Sequence, residues 1–387
     1  MTCLIVRPAI KAEVTVPFIS CYLDGFLRSH NLKSRFLDLN FDQDVRVLME
    51  SKDASDLIFI VIEPARALCN SDLEILENNF KLLSVIFPGK TKYLLSLRST
   101  IAIETKIPDI KVVCSIFFKD WGLSFIKGHE SEYCIYDHAP NWSIIEFGRY
   151  NKTLFASAIH VSMLTSIGCS FDCSYCLEKK EYFSRCMDDI VRDIRLAQGQ
   201  GVDNFVFEDD LINNDTKHLM QLCKTFMDNS LLISWQCLNG LYPGNIDKKL
   251  IEVMKQSGCF HITLGVEHFD RGVLDEIGRG GYTTSHIRDV IIHCKRNRVI
   301  VTLYLIYGLP QSNIIKDLKT FIVSLLVNPD MCHYGVYGVS WKTRSLQIFS
   351  YLFFYTLPHN FINIVIMVKN YRNFIKKVFC KFMRDII

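Results

Sequence analysis

Between residues 156 and 340, short apolar runs alternate regularly with segments of helical periodicity. Six apolar runs occur, and several end in acids or glycine, as in NFVFEDD at 204–210 and HITLGVEH at 261–268. All but the last are followed by a segment whose apolar residues recur at helical spacing. Strands and helices that alternate in this way form a parallel sheet covered by helices. The pattern predicts a partial (β/α)6 barrel over 156–344, with functional residues at the carboxyl ends of its strands.

A second alternation occupies residues 1–128. It includes the apolar runs CLIVRP at 3–8 and DLIFIVIEP at 56–64, and an amphipathic segment at 17–31. This pattern predicts an N-terminal α/β domain of the Rossmann-like type, and on this evidence alone the domain either binds a ligand or only packs. Residues 129–155 have mixed polarity and no period, which is typical of a connector between domains.

The composition excludes some classes of protein. With 49% hydrophobic and 22% charged residues, the chain supports a large core and is not disordered. The formal charge of +3 gives no reason to expect a nucleic-acid partner. The 15 cysteines are scattered and no signal peptide is recognisable at the start, so we expect thiols in a reducing cytoplasm.

Three cysteines lie close together in GCSFDCSYC at 168–176. Thiolates are the usual ligands of iron–sulfur clusters, and three of them leave one iron of a four-iron cluster open to another ligand. Gly168 lets the chain turn close to such a cluster. Two alternatives stay open here: a zinc site with a fourth ligand such as Cys186, and buried structural thiols.

The spacing of Cys169, Cys173 and Cys176, with Tyr175 before the last cysteine, resembles the C-x-x-x-C-x-x-C motif of the radical S-adenosylmethionine (SAM) superfamily. The resemblance implies a [4Fe-4S] cluster on these three cysteines, whose open iron chelates SAM. It implies reductive cleavage of SAM to a 5′-deoxyadenosyl radical, with electrons from a donor such as flavodoxin or ferredoxin. Tyr175 is then expected to form a wall for the adenine.

Further motifs resemble the superfamily in chain order. Asp209 and Asp210, with Glu208 adjacent, match the acidic end of the second strand, where the family binds the SAM amino group. A carboxylate in a site with little water would pair with that ammonium. In LGVEH, Glu267 matches the residue that accepts from ribose hydroxyls, and His268 replaces the usual serine. Taken alone, the two aspartates would more often belong to a turn or a helix cap.

Two weaker matches lie downstream. Arg279, in IGRGGYT, is a candidate SAM contact, and LIYGLPQS resembles the fifth-strand motif that lies along the adenine. Gly308 and Pro310 match that motif, whereas Gln311 and Ser312 stand where glycine and glutamate are common. The resemblance covers about 156–340 and assigns no catalytic side chain beyond the cluster.

The N-terminal alternation resembles the superfamily branch that carries a cobalamin-binding domain. Members of that branch transfer methyl groups or rearrange carbon skeletons, so we expect such a reaction on a natural-product or lipid substrate. However, the D-x-H-x-x-G motif is absent, and residues 1–150 hold only five glycines. Cobalamin binding therefore stays open beside a vestigial domain that shapes the substrate pocket. The alternative from another class is a non-catalytic, zinc-holding binding protein.

The tail at 345–387 differs in composition from the rest. Residues 345–368 carry no Lys, Arg, Asp or Glu, and Pro358 and His359 interrupt them, which disfavours a membrane span. Residues 369–387 combine apolar residues at helical spacing with Lys and Arg at other positions. Two interpretations of this helical tail stay open: a cap over the barrel, and a helix that lies on an anionic membrane. The expected location is cytoplasmic, with peripheral membrane association as the second interpretation.

Overall fold

The computed structural model describes residues 2–8, 17–41, 44, 46–48, 56–62, 70–90, 92–96, 110–113, 135–150, 160–176, 181–338 and 340–357. The strands are β1 (Thr2–Arg7), β2 (Lys33–Asp38), β3 (Leu57–Ile62), β4 (Lys92–Ser96), β5 (Ile110–Val113), β6 (His160–Met163), β7 (Ser166–Ile167), β8 (Phe183–Ser184), β9 (Asn204–Phe207), β10 (Ser234–Leu241), β11 (Cys259–Glu267), β12 (Ile300–Tyr307) and β13 (Met331–Val336). The α-helices are α1 (Phe18–Ser29), α2 (Asn70–Ile86), α3 (Met187–Gln198), α4 (Thr216–Asp228), α5 (Lys248–Gln256), α6 (Arg271–Glu276), α7 (Thr284–Arg296), α8 (Ile314–Val327) and α9 (Trp341–Thr356).

The chain divides into two compact units. The first comprises Met1–Asn151, Ile159–Ser162 and Arg185–Val202, and the second comprises Lys152–Ala158, Met163–Ser184 and Asp203–Ile387. The predicted domain boundaries at 128, 155 and 344 remain a proposal.

The first unit contains a five-stranded parallel sheet in the order β2-β1-β3-β4-β5. Leu4, Val6, Ile58 and Ile60 are fully buried in one apolar cluster with residues of α2 such as Phe80. Strands that are covered on both faces consist of continuous apolar runs, which is why the alternation was readable in the sequence. The order reverses between β1 and β3, as in doubly wound folds, and the predicted Rossmann-like domain is confirmed.

Helix α3 belongs to this first unit, although the sequence analysis placed it in the barrel. The Tyr22 hydroxyl on α1 donates to Asp193 Oδ2 on α3 at 2.6 Å. Arg185 Nη2 donates to the same oxygen at 2.6 Å, and all three side chains are buried. Removing one member of such a network would leave a buried charge uncompensated, so the network ties α3 to α1.

The second sheet contains β9-β10-β11-β12-β13 in sequence order. The pairs from β9 to β13 are parallel. The register shifts between Cys237 and Leu241 on β10 and between Gly265 and Glu267 on β11. Such irregularities re-aim side chains, and here they lie close to the carboxyl ends of both strands. The sheet and its helices confirm the predicted partial barrel.

Each helix from α4 to α8 begins with a side chain that accepts from backbone N–H groups of its first turn. The capping residues are Asp215, Asp247, Asp270, Thr283 and Asn313. A side-chain cap satisfies donors that have no partner within the helix. The loops at the carboxyl ends of the strands therefore lead into well-defined helix starts.

The last strand, which the sequence analysis left without a helix, is covered by α9. Gln347 Nε2 donates to Tyr334 O at 2.6 Å, and the Tyr355 hydroxyl donates to Cys332 O at 3.0 Å. The helix runs across the predicted boundary at 344 and ends at Thr356, two residues before Pro358, as expected since residues preceding proline disfavour helix. Within the described residues, no helix has the length and apolarity to cross a membrane.

Candidate functional site

The cysteine-bearing loop at 168–176 is tied to the segment that follows β9. Gly168 has a φ of 84°, and its N–H donates to Asp210 Oδ2 at 2.9 Å. The Ser170 N–H and hydroxyl both donate to Asn214 Oδ1 at 2.8 Å. Two side chains from the segment between β9 and α4 therefore set the path of the loop.

Asp209 holds the strand that leads into this loop. Its buried carboxylate accepts from Thr165 N at 2.8 Å, Thr165 Oγ1 at 2.6 Å and Ser166 Oγ at 2.7 Å. Burial raises the pKa of Asp209 to about 6, and these hydrogen bonds oppose that rise. Within the protein, both Asp209 and Asp210 serve to build the loop. Their predicted contact with the SAM amino group stays a prediction.

The other side of the loop lies against residues 277–279. Ser174 N donates to Ile277 O at 3.3 Å. Gly278 has a φ of +73°, and a Cβ there would lie 3.4 Å from Asp172 O and 4.0 Å from the Cα of Cys173. This close approach brings Arg279 next to the cysteines.

The Arg279 side chain is buried between aromatic rings and backbone. Its Cζ lies 5.3 Å from the Phe171 ring centroid and 5.1 Å from that of Tyr242. Nη2 donates to Gly265 O at 3.0 Å. Nε is buried and has no hydrogen-bond partner within the described residues. Because a buried donor without an acceptor is costly, an acceptor from outside the chain fits this position.

Glu267 faces this guanidinium with Oε1 3.5 Å from Nη2. It has a φ of 60°, a strained conformation for a non-glycine residue that is typical of functional sites. The Tyr175 hydroxyl hydrogen-bonds to its carboxylate. Burial raises the pKa of Glu267, while Arg279 and Tyr175 oppose the rise. The structure thus brings together three predicted SAM contacts: Tyr175, Glu267 and Arg279.

Gly265 provides the space for this pair. A Cβ at that position would lie 2.8 Å from Arg279 Nη2 and 2.9 Å from Glu267 Oε1. Any side chain there would therefore displace the pair, which explains the glycine two residues before the carboxylate.

Burial makes Cys169 and Cys173 poor thiolates unless a cation is present. It raises the pKa of Cys173 to about 11, and Arg279 only partly offsets this. Burial also raises the pKa of Cys169. A metal-bound thiol is deprotonated, so bound iron would supply the missing positive charge. Within the described residues, no three His, Cys, Asp or Glu side chains converge as ligands of one metal ion. In a cluster, by contrast, each cysteine binds its own iron.

At the end of β12, Gly308 has a φ of +74°, and a Cβ there would lie 3.0 Å from Tyr337 O. Its N–H donates to Asp317 Oδ2 at 3.1 Å. His268 Nε2 lies 3.3 Å from Asp317 Oδ1 and 3.1 Å from Thr320 Oγ1. The histidine that replaces the family's serine therefore shares a buried acid with the glycine turn. Pro310 is half-buried in the same turn.

Two further polar residues, Glu208 and Tyr304, lie near these strand ends, and nothing in the sequence connects them with each other. Tyr304 is paired in register with Gly265 on β11 and with His333 on β13. Burial raises the pKa of Tyr304 to about 12, and the charges of Glu208 and Glu267 contribute to that rise. The half-buried Glu208 therefore acts on the same strand ends as Glu267.

Comparison with known families relates the segment that holds these residues to a known superfamily. The sequence profile of the radical SAM superfamily matches residues 163–322. Residues 163–322 therefore match a radical SAM domain. The matched segment includes every site residue predicted from the sequence, from Cys169 to Pro310. The cofactors of this superfamily are a [4Fe-4S] cluster and SAM.

Two curated relatives of this chain show its range of similarity. It is 26% identical over 153 residues to cytidylyl-2-hydroxyethylphosphonate methyltransferase of Streptomyces wedmorensis, covering 38% of this chain and 28% of the relative. It is 23% identical over 202 residues to anaerobic magnesium-protoporphyrin IX monomethyl ester cyclase of Rubrivivax gelatinosus, covering 51% of this chain and 36% of the relative. The alignments thus span only about a third of these relatives.

Solved structures support the fold. The radical SAM methyltransferase TsrM from Kitasatospora setae, solved with cobalamin and a [4Fe-4S] cluster, gives a TM-score of 0.66 at 13% identity, covering 87% of this chain and 74% of TsrM. The cobalamin-dependent radical enzyme OxsB gives 0.59 at 12% identity, covering 90% and 55%. At these identities the likeness concerns the fold, a Rossmann-like domain followed by a radical SAM barrel.

Proposed function

We propose that this chain is a radical SAM enzyme with a [4Fe-4S] cluster on Cys169, Cys173 and Cys176. When bound, the cluster supplies the electron that cleaves SAM reductively, and the resulting 5′-deoxyadenosyl radical abstracts hydrogen from a substrate. The observation that carries the proposal is the contact of the cysteine loop with residues 277–279. It places a buried guanidinium beside thiols that need positive charge.

The side chains around the loop have distinct proposed roles. Glu267 accepts from the ribose hydroxyls, and Tyr175, bonded to Glu267, lies against the adenine. Arg279 offers its unpartnered Nε to an acceptor group of SAM. The turn that contains Gly308 and Pro310 borders the adenine, where the small residue permits a close approach of backbone.

For the SAM amino group we propose Glu208, with Asp209 and Asp210 as supports of the loop. Asp209 already accepts three hydrogen bonds, and Asp210 accepts one from Gly168. Glu208 is half-buried, and its charge acts on Tyr304 in the barrel. A carboxylate at that point can pair with an ammonium without releasing the cysteine loop.

The reaction we propose is methyl transfer or carbon rearrangement on a natural-product or lipid substrate. A methyltransferase and a cyclase among the curated relatives support both outcomes. Cobalamin is the proposed methyl carrier, since TsrM and OxsB bind it. The competing proposal is a vestigial N-terminal domain in a cobalamin-independent enzyme. We also propose that the electrons come from a donor such as flavodoxin or ferredoxin. The proposed location is the cytoplasm. Peripheral membrane association through the tail concerns residues outside the described part of the chain.

Anaerobic reconstitution with iron and sulfide tests the proposal. We expect about four irons per chain, the broad visible absorption of an iron–sulfur cluster, and dithionite-dependent formation of 5′-deoxyadenosine from SAM. Cys173→Ala should lose the cluster and the formation of 5′-deoxyadenosine. Cys186→Ala should keep both, because the Cys186 thiol is exposed and lies outside the cysteine loop. Colourless protein that binds one zinc, and loses it with Cys186→Ala, would overturn the proposal in favour of a zinc-holding protein. The same assay with and without added cobalamin distinguishes the cobalamin-dependent enzyme from the cobalamin-independent one.

A further inference from the structure

Helices α8 and α9 expose a large apolar surface, which we call the α8–α9 face. Leu318, Ile322 and Leu326 form its α8 row, and Phe349, Leu352 and Phe353 form its α9 row. Exposure reaches 71% for Leu326 and 56% for Leu352, so these side chains are not parts of a core. Contiguous apolar surface of this kind marks an interaction site in a folded protein.

The two rows form one continuous surface. The buried Phe321 ring on α8 lies 5.7 Å from the Phe349 ring and 5.9 Å from the Phe353 ring, centroid to centroid. The α8 row recurs every four residues on the face opposite to the one that Phe321 and Val327 bury. A helix that is apolar on both faces is normally covered on both, so the outer face calls for a partner.

The charge around this face indicates the partner. The basic residues of the two helices are Lys316, Lys319, Lys342 and Arg344. Their single acid, Asp317, is fully buried and accepts from Gly308 and Ser312. The exposed charges on these helices are therefore all positive, and one of them, Lys316, pairs with Asp270 at 3.1 Å. Trp341, which is 75% exposed, lies beside Lys342, with Nζ 5.8 Å from its ring. Apolar rows, a tryptophan and cations together match the interface of an anionic bilayer.

We propose that the α8–α9 face binds the surface of an anionic lipid membrane. The proposal goes beyond the cofactor chemistry and does not depend on it. The basic part of the chain's own tail is a poor occupant, because residues 369–387 carry six Lys and Arg against one Asp and would meet like charges. Residues 358–368 carry no charge, so like charges do not disfavour them as an occupant. A second copy of the chain would bring the same positive charges to the contact.

Co-sedimentation of the full chain with vesicles tests this inference. We expect binding to phosphatidylcholine vesicles that contain phosphatidylglycerol, weak binding to phosphatidylcholine alone, and weaker binding at high salt. The variant Leu326→Gln/Phe349→Gln/Leu352→Gln should lower the partition coefficient at least about tenfold, since binding scales with buried apolar area. Leu232→Gln, at a side chain that is 86% exposed outside the face, is the matched control and should bind as the wild type does.

Further variants test whether the tail or a second copy of the chain covers the α8–α9 face instead of a membrane. Lys319→Glu/Lys342→Glu should abolish the preference for phosphatidylglycerol. Lys376→Glu/Lys377→Glu changes only the tail, and loss of binding with that variant alone would overturn the proposal. A wild-type dimer that the triple variant converts to a monomer would also overturn it. Unchanged circular dichroism of each variant shows that a loss of binding is not a loss of fold.

Discussion

Removing one member of the buried Arg279–Glu267 pair should destabilise the protein far more than removing both. The two side chains are 7% and 9% exposed, and Oε1 lies 3.5 Å from Nη2. Truncating one partner of a buried pair costs about 3–5 kcal/mol, because it leaves a charge in a medium of low dielectric. Replacing both partners by uncharged residues is often close to neutral. We therefore expect about 3–5 kcal/mol of destabilisation for Arg279→Met and recovery of most of it in Arg279→Met/Glu267→Gln.

The pH dependence of the single variant has a definite sign. Burial already raises the pKa of Glu267 with Arg279 present, and the rise is larger without the guanidinium. A carboxyl whose pKa is higher folded than unfolded costs stability above that folded pKa and regains it as the pH falls. Arg279→Met should accordingly recover stability as the pH falls through the raised pKa of folded Glu267, whereas the double variant should not.

The assay is urea unfolding of cluster-free protein, followed by circular dichroism with m-values compared across the variants. Arg271→Met is the control, because its ion pair with Asp275 is 61% and 53% exposed and should contribute less than about 1 kcal/mol. A loss below about 1 kcal/mol for Arg279→Met, or no recovery in the double variant, would refute the coupling. A stable double variant that no longer cleaves SAM would show that the pair contacts SAM as well.

Three further results are expected. Gly168→Ala places a side chain at a φ of 84°, so the iron content after reconstitution should fall. The control is Gly89→Ala, which has a similar φ of 69° but lies outside the radical SAM segment and should retain full iron. Gly258→Ala would put a Cβ 2.0 Å from Ile233 O, and a loss on the order of 3 kcal/mol in urea unfolding is expected. The loss of folding stability caused by His261→Gln should be smaller at pH 5 than at pH 7.5, by about 2 kcal/mol. Burial lowers the pKa of His261 to about 3, so its folded ring stays neutral while the unfolded ring takes up a proton; an equal cost at both pH values would contradict this.

The strands and most helices of both units could be predicted because local signals agreed with the fold. Thr283 caps the start of one helix and Gly199 ends another, and both residue types are usual signals at those positions. Helix α9 was not recognised as the partner of the last strand, because it is apolar on both faces and shows no single stripe. Its outward residues, such as Phe349 and Leu352, hide the inward ones that contact β13.

For the site, the residue types could be predicted but not their partners. Asp209 and Thr165 are 44 positions apart, and nothing local in either segment indicates that the aspartate holds the strand before the cysteines. The contribution of Asp317 was missed for the same reason, since an acid in the first turn of a helix is usually a solvated one. The sequence contained a weak signal for the position of Tyr304. It alternates with residues of β12 that are buried, so its side chain points to the other face of the sheet.

The order of the first sheet sharpens the cobalamin question. In doubly wound sheets the ligand lies at the carboxyl ends of the strands, where the order reverses, and here that point lies between β1 and β3. The segments that follow β1, β3 and β4 are 9–16, 63–69 and 97–109, all outside the described residues, and none contains glycine. A cobalamin site in this sheet would lie at that point, and these segments offer no glycine for a close approach of the backbone.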